Sequence, residues 1–226
     1  MDFVALLDVG FTGNPEQAIA IRQKLGYSNF YTSLFCQDAY IQDESEGRWA
    51  KVTPTYFLAQ KIPLVDKTYG LHWPFVGPRR GVITGFDKLS WAPNPPMQER
   101  LYRAQLNYIR VTQKRTMLYG QLTSQTVMSA LSDLNHVRTL LRIQREVEEL
   151  FEDYPFEFIN DETLRAMNYA LQEYMKKWLD NGALQSYTSS VYSSEYDRKS
   201  KIARVRIEYY FTAVLERIFI THVVKG

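Results

Sequence analysis

The sequence predicts a mixed α/β and α+β protein, with an N-terminal βαβ-type layer followed by a C-terminal α+β domain. An apolar run at 3–9, a helical pattern at 15–25 and an aromatic run at 27–36 have the order and spacing of a βαβ unit. The second half alternates long amphipathic helical patterns with short runs of strand period. We expect one domain over 1–104 and a second over 105–226.

The composition is that of a globular protein with a substantial core. The chain has 226 residues, of which 45% are hydrophobic and 23% are charged. The net charge of +2 gives no overall attraction to nucleic acid or to anionic membranes. Cys36 is the single cysteine, which excludes an internal disulfide and is typical of a reducing compartment. No apolar run approaches the roughly 18 residues of a membrane-spanning helix.

The remaining signals of the N-terminal half come from polar stretches and from proline and glycine, which interrupt regular structure. The predictions are a loop at 37–51, a helix at 55–62 that breaks at Pro63, irregular chain at 71–96 with a short strand at 81–86, a helix from 97, a strand at 108–112 and a basic turn at 113–121.

The C-terminal half centres on the stretch 119–160, which holds the longest helical pattern of the chain. The predictions for this half are a helix from 124 or 126 to 151, an aromatic strand at 155–161, a helix capped by Asp161 that ends at Gly182, a polar irregular stretch at 185–201, and strands at 202–211 and 216–224.

The side chains of a catalytic triad occur within this helix, but their spacing excludes the chemistry. Ser129 and His136 would lie roughly 10 Å apart along a helix, whereas a nucleophile and its base need about 3 Å. Asp133 and His136 should form a surface pair at most. His72 and His222 have no neighbouring Cys or His ligands. We therefore expect no catalytic, cofactor or metal site.

The glycine-rich stretch GPRRGVITGF is not expected to be a phosphate-binding loop. A phosphate loop needs a following Gly-Lys-Ser or Gly-Lys-Thr and a long helix, and neither is present. Arg79 and Arg80 within this stretch are therefore expected to face solvent or another subunit rather than an anion.

Charge is unevenly distributed in the C-terminal half. Five acidic residues crowd the end of the long helix, where they oppose the helix dipole, and a basic set follows later in the chain. We hypothesise that the two sets meet, within a subunit or between neighbours; the alternative is that both are solvated. The acidic set is Glu146, Glu148, Glu149, Glu152 and Asp153, and the basic set is Arg198, Lys199, Lys201, Arg204 and Arg206. The candidate intersubunit contacts are Arg79, Arg80, Glu148, Glu149, Glu152, Asp153, Arg204, Arg206 and Glu208.

The order of short motifs from 120 onwards resembles the tail sheath proteins of contractile-tailed bacteriophages. The motifs are a Gly-Gln-x-Thr turn, a Ser-Ala-Leu-x-x-Leu-Asn-x-x-Arg-x-Leu-Leu run, an aromatic-acidic run, an asparagine before a helix and a glycine after it. Here they are Gly120, Gln121, Thr123; Ser129, Ala130, Leu131, Leu134, Asn135, Arg138, Leu140, Leu141; Phe156, Glu157, Phe158, Asn160; and Gly182.

The resemblance covers 75–226 well and 1–74 in architecture only. It implies a structural, non-enzymatic subunit without cofactors, which assembles helically around a tail tube and contracts to drive it through the host envelope. It implies other copies of the chain, the tube protein and the baseplate as partners, no nucleic acid or membrane partner, and assembly in the host cytoplasm into the virion. Sheath subunits are longer, so we expect a fragment, such as one from a giant-phage sheath, which by itself can be monomeric.

In the family, the C-terminal domain lies innermost and accepts strands from neighbouring subunits. By this resemblance, the strands at 202–211 and 216–224 are expected in that sheet.

Two other functions stay open at this level. An α/β hydrolase would use Asp8 at the end of the first strand, although the sequence offers it no catalytic partner. A nucleic-acid-associated module would use Arg79, Arg80, Lys114 and Arg115, although the near-neutral net charge counts against it.

Overall fold

A computed structural model describes residues 3–43, 45 and 47–216. The chain divides into two compact units, unit 1 over Met1–Glu146 and unit 2 over Val147–Gly226. The boundary expected from sequence at 104/105 does not coincide with this division, because the strand that follows it pairs inside unit 1.

The described elements alternate helices and strands in both units. In chain order they are β1 (Ala5–Asp8), α1 (Pro15–Leu25), β2 (Thr32–Phe35), β3 (Ala39–Asp43), β4 (Arg48–Val52), α2 (Pro54–Tyr69), α3 (Gly77–Arg80), β5 (Lys88–Leu89), α4 (Pro95–Arg103), β6 (Leu106–Val111), β7 (Thr116–Tyr119), a 3₁₀ turn (Ala130–Ser132), α5 (Leu134–Leu150), α6 (Asp161–Asp180), β8 (Leu184–Tyr192), α7 (Glu195–Lys199) and β9 (Arg204–Phe211).

Unit 1 is built on a four-stranded sheet in the order β1-β2-β6-β7. β1, β2 and β6 are parallel, and β7 runs antiparallel to β6. The predicted βαβ unit is therefore confirmed. Alternating residues of the strands face two apolar clusters, so that Phe35 and Ile109 join one cluster while Leu34 and Leu106 join the other. The mixed α/β class is confirmed in the same way.

Three predictions for the N-terminal half were wrong. The polar stretch at 37–51 contains β3 and β4, which form a second sheet in the order β4-β3-β5; polar side chains suit a hairpin whose outer face is solvated. The expected break at Pro63 does not occur, because α2 continues to Tyr69 with Phe57, Leu58 and Val65 buried on both sides of the proline. The stretch at 113–121 is not a turn throughout, because it contains strand β7 after the tip at 112–115, which does turn.

The long helix begins later than its apolar spacing predicts. Only Leu134–Leu150 is α-helical, and Ala130–Ser132 forms a separate 3₁₀ turn capped by Ser129. Upstream, the backbone carbonyl of Ser124 accepts from Arg22 Nη2 at 2.9 Å, and its amide donates to the carbonyl of Thr32 at 2.7 Å. These serine and threonine groups find hydrogen bonds outside a helix, which is why the helical pattern fails there.

In unit 2, α6 packs beside an antiparallel pair of strands, β8 and β9. The predicted helix over 161–181 is confirmed, with Met167, Leu171 and Met175 buried. Asn160 caps it instead of Asp161, because its side chain accepts from the amide of Thr163 at 2.8 Å.

Two further predictions for unit 2 were wrong, and a third falls mainly on residues outside the described ranges. The stretch at 185–201 is not irregular, since it contains most of β8 and all of α7. The aromatic run at 155–161 forms turns instead of a strand. The strand at 202–211 is confirmed as β9. The last strand, expected at 216–224, lies from 217 on outside the described residues. Within the described ranges, no helix is long and apolar enough to cross a membrane.

A buried asparagine joins the sheet of unit 1 to the chain that leaves it. Asn107 is 0% exposed, and its Nδ2 lies 2.9 Å from Ser33 Oγ and 2.9 Å from the carbonyl of Leu122. Its Oδ1 accepts from the amide of Leu122 at 2.8 Å. Gly120 has φ +89°, and a Cβ there would meet Asn107 Oδ1 at 2.6 Å. This close approach explains the glycine of the Gly-Gln-x-Thr turn.

Gly120→Ala should therefore destabilise unit 1 more than Gly85→Ala. Both glycines have left-handed backbones, but a Cβ at Gly85 would have no heavy atom within 4 Å. We expect about 1 kcal/mol of lost stability for Gly85→Ala from the backbone alone. For Gly120→Ala we expect about 2–4 kcal/mol, because Asn107 must also move. Urea unfolding followed by tryptophan fluorescence measures both; equal losses would contradict this role of Asn107.

Candidate functional site

The small sheet of unit 2 has the geometry of an acceptor for further strands. In the described part of the chain, β8 and β9 pair with each other and with no third strand. α6 supports one face, where the Tyr187 hydroxyl donates to the carbonyl of Gln172 at 3.2 Å. The outer edge of each strand presents main-chain donors and acceptors, which are a template for pairing with another chain.

The connection between the two strands is held by an ion pair whose carboxylate is buried and whose arginine is half-exposed. Asp197 is 3% exposed, and its Oδ1 lies 2.8 Å from Arg204 Nη2. Ser194, which caps α7, donates to Asp197 Oδ2 at 2.7 Å. The bond from Arg204, helped by that from Ser194, lowers the pKa of Asp197 to about 2. This pair fixes where β9 begins and therefore its register against β8.

Three further members of the basic set are also paired inside unit 2. Arg198 contacts Asp161 at 3.3 Å, and Arg206 contacts Glu208 at 2.7 Å. Lys199 contacts Glu195 at 3.1 Å. The ion pairs described within unit 2 therefore do not join the basic set to the acidic set, and a contact between the sets of neighbouring copies stays a prediction.

The acidic set lies at the end of α5 and in the turn that follows. Glu148, Glu149, Glu152 and Asp153 are all exposed, and Glu146 pairs with Arg142 on the preceding turn of the helix. None of the four exposed carboxylates forms an ion pair with a described residue. They remain available for a partner.

Two exposed phenylalanines follow the acidic set directly. Phe156 is fully exposed and has φ +74°, and Phe158 is 83% exposed. The sequence predicted that both would lie on one side of a strand, so their exposure was missed. The signal was present in the acidic residues that surround them and in Pro155, which are unusual in a buried strand.

The two candidate arginines of unit 1 differ in their contacts. Arg80 donates to the carbonyl of Pro74 at 2.7 Å and lies over the ring of Trp73, with 4.5 Å to its centroid. Partial burial lowers the pKa of its guanidinium from the ordinary value. Arg79 is exposed. At the end of α3, Arg80 is therefore held by contacts within unit 1, whereas Arg79 is exposed to a partner.

The apparent catalytic residues have other roles. Ser129 caps the 3₁₀ turn, and His136 is buried, with Nδ1 at 2.8 Å from the carbonyl of Ala130 and 3.6 Å from Asp133 Oδ2. The expected surface pair is thus a buried contact. Asp8 accepts a hydrogen bond from the Thr55 hydroxyl, and burial raises the pKa of its carboxyl. No group of three metal-ligating side chains occurs among the described residues.

No family model and no curated protein matches the chain. Solved structures do. The sheath complex of an extracellular contractile injection system (PVC), in its contracted state, matches with a TM-score of 0.83 at 14% identity over 97% of this chain. A chain of the anti-feeding prophage baseplate matches with a TM-score of 0.81 at 14% identity over 99%. A sheath tail protein from Desulfitobacterium hafniense matches with a TM-score of 0.59 at 11% identity over 94%.

This likeness establishes the fold. The chain spans 63%, 60% and 57% of the length of those three chains, respectively. The fold expected from the short motifs at 120–182 is therefore confirmed. This chain is shorter than the chains that it matches.

From the Asp197–Arg204 ion pair we predict that the stability of unit 2 depends on pH. The pKa of an unfolded aspartate is about 3.9, and that of Asp197 is about 2 in the folded chain. Because the folded value is the lower one, the pair stabilises unit 2 above about pH 4, and this stabilisation is lost as the pH falls towards 2. Arg204→Gln should move the carboxyl pKa of Asp197 upwards, towards the unfolded value.

An NMR titration of the Asp197 carboxyl carbon in the wild type and in Arg204→Gln measures this shift. Arg206→Gln is the matched control, because Arg206 pairs with the more exposed Glu208. An unchanged Asp197 pKa in Arg204→Gln would show that the arginine does not hold the carboxylate.

Proposed function

We propose that the chain is a structural subunit of a contractile sheath, which assembles helically with other copies around a tail tube. The observation that carries the proposal is the fold shared with chains of two contracted sheath structures, those of the anti-feeding prophage and of PVC, over 97% of this chain. Its partners would be further copies of the chain, the tube and the baseplate, and its place would be the tail of a virion or of a related injection particle. Contraction would then drive the tube through the envelope of the target cell.

The small sheet of unit 2 supplies the physical means for assembly. A strand from a neighbouring copy that pairs with the outer edge of β8 or β9 would add a row of main-chain hydrogen bonds. Such bonds are directional and depend little on side chains, so they hold two copies together while the bodies of the subunits rotate. Contraction in this scheme uses energy stored at assembly and needs no bound cofactor.

The alternatives of an enzyme and of a nucleic-acid module have less support. A hydrolase built on Asp8 needs a nucleophile or a base near this carboxylate, whereas its hydrogen-bond partner is Thr55. A nucleic-acid module needs a basic excess, whereas the net charge of the chain is +2.

Electron microscopy of the natural gene product that carries this chain tests the proposal. We expect helical tubes in the purified protein. A monodisperse particle under every assembly condition would contradict a sheath function.

Two neighbouring proline variants test the role of the sheet edge. Along an antiparallel strand, successive amides point alternately to the paired strand and away from it, so one of the amides of Val205 and Arg206 faces outwards. Of Val205→Pro and Arg206→Pro, the variant with the inward amide should unfold unit 2. The variant with the outward amide should keep unit 2 folded, as measured by circular dichroism, and should still abolish tube formation. Tubes in the folded variant would show that the edge of β9 is not an acceptor.

A further inference from the structure

The fold of unit 1 brings four cations together at one corner. Arg115 Nη1 donates to the carbonyl of Pro78 at 2.6 Å, and the amide of Leu118 donates to the carbonyl of Gly81 at 2.8 Å. The β6–β7 turn therefore lies beside α3, although more than 30 residues separate them in sequence. The resulting surface, called the basic corner below, consists of Arg79, Arg80, Lys114 and Arg115.

The cations of the basic corner have no described carboxylate to neutralise them. Arg79, Lys114 and Arg115 are exposed, and the ion pairs described for the chain do not include any of the four. Aromatic rings border them, because Arg80 lies between Tyr69 and Trp73, which are 50% and 41% exposed. A cationic surface with exposed rings is typical of a protein interface.

Unit 2 carries the complementary surface. Between Glu146 and Asn160 the chain contains six acidic residues and no Lys or Arg. We call its exposed part, 148–158, the acidic segment; it includes Glu157 and the two exposed phenylalanines. The charges in α5 work against the fold, because the helix has no acidic residue in its first turn and no basic residue in its last turn.

The backbone of the acidic segment is strained in a way that displays an aromatic ring. A phenylalanine with φ +74° occupies the left-handed region, which costs an L-residue roughly 1–2 kcal/mol. The Phe156 side chain gains no burial in return, since it is fully exposed. Strain without a benefit to the fold is characteristic of a functional segment.

We propose that the acidic segment of one copy docks on the basic corner of a second copy. This contact rests on the proposed sheath function and names the side-chain surfaces that bring copies together before strands pair. The carboxylates face the four cations, and Phe156 and Phe158 pack on the exposed rings of Tyr69 and Trp73. The two surfaces carry opposite charge, and each presents an exposed aromatic pair to the other.

The occupant of the basic corner is a second copy rather than nucleic acid for two reasons. The corner holds only four cations in a chain whose net charge is +2, so little affinity for a polyanion is available. If the basic corner bound nucleic acid, the acidic segment would have no role in the contact, because its negative charges would repel the phosphates.

Cross-linking between differently tagged copies tests the contact directly. One copy carries Lys114→Cys and the other carries Glu152→Cys, and the mixture is oxidised with diamide. The native Cys36 is buried, and burial raises the pKa of its thiol, so it contributes little background. We expect heterodimer in excess over both homodimers. The excess should disappear in 1 M salt, where the screening length is about 3 Å.

The matched control replaces Glu152→Cys by Glu173→Cys, an exposed acidic position on α6 away from the acidic segment. Heterodimer at the level of this control would overturn the proposal. Binding of a labelled DNA duplex that is lost in Arg79→Glu/Lys114→Glu, together with cross-linking at the control level, would assign the basic corner to nucleic acid instead.

Charge reversal tests the same contact in assembly. Glu148→Lys/Glu149→Lys removes charges that oppose the α5 dipole, so its thermal stability should be equal to or above that of the wild type. Arg79→Glu/Lys114→Glu spares Arg80 and Arg115, which bond to the backbone. Each double variant should raise the concentration needed for tube formation by about tenfold or more. The quadruple variant, with both surfaces reversed, should restore it.

The controls reverse equal charge elsewhere: Glu173→Lys/Asp180→Lys for the acidic segment and Lys176→Glu/Lys177→Glu for the basic corner. Tubes that form in the wild type and do not respond to the reversals would leave the sheath function standing and refute this contact. Cross-linking above the control without tubes would support the contact and refute the sheath function.

Discussion

A sheet of two strands is seldom stable by itself, and the build of unit 2 follows from that constraint. β8 and β9 gain support on one face from α6, whose Met167, Leu171 and Met175 are buried. Within the described ranges, no third strand pairs with the outer edge of β8 or β9. A globular domain normally blocks such edges, because they invite pairing with other chains. In a subunit designed for assembly, the same open edges become the means of connection.

Unit 1 is held together by buried side-chain hydrogen bonds. Asn107 bonds both to strand β2 and to the chain that follows β7, so that the sheet and the exit towards α5 form one body. Arg22, 5% exposed, reaches the carbonyl of Ser124 in a similar way. Buried hydrogen bonds of this kind hold the strands and the connecting chain in fixed positions. Unit 1 thus closes its sheet with side-chain bonds, whereas the described strands of unit 2 leave their outer edges unpaired.

The sequence predicted what depends on local periodicity and failed where long-range contacts decide. The βαβ unit, α6 and β9 follow from apolar spacing, and they were found. α2 passes Pro63 because buried residues on both sides outweigh the local penalty, which no local pattern shows. β3, β4 and β8 were taken for loops because their side chains are polar, while their backbones pair with strands distant in the chain or across a turn.

The candidate contacts stay predictions, and the sequence indicates their residues but not their spatial arrangement. Arg79, Arg80 and the four carboxylates were identified from charge alone, since a run of like charge at the wrong end of a helix is visible in the sequence. That Lys114 and Arg115 lie beside Arg79 depends on long-range bonds, such as those from Arg115 to Pro78 and from Leu118 to Gly81, which the sequence does not indicate. The basic residues of β9 and α7 illustrate the opposite case, because they looked available and are paired within their own unit.

The exposed charges at the end of α5 lie where folding does not require them. α5 is held by Leu134, Val137 and Ile143, each 0% exposed, and would be at least as stable without its terminal glutamates. Phe156 likewise adds strain and no burial. Main-chain pairing at an edge gives strength without choosing a partner, because every chain has the same backbone. Side chains, unlike the backbone, differ from one chain to another. In the proposed contact, the acidic segment and the basic corner would therefore determine which chain pairs with the open edge and in which orientation it binds.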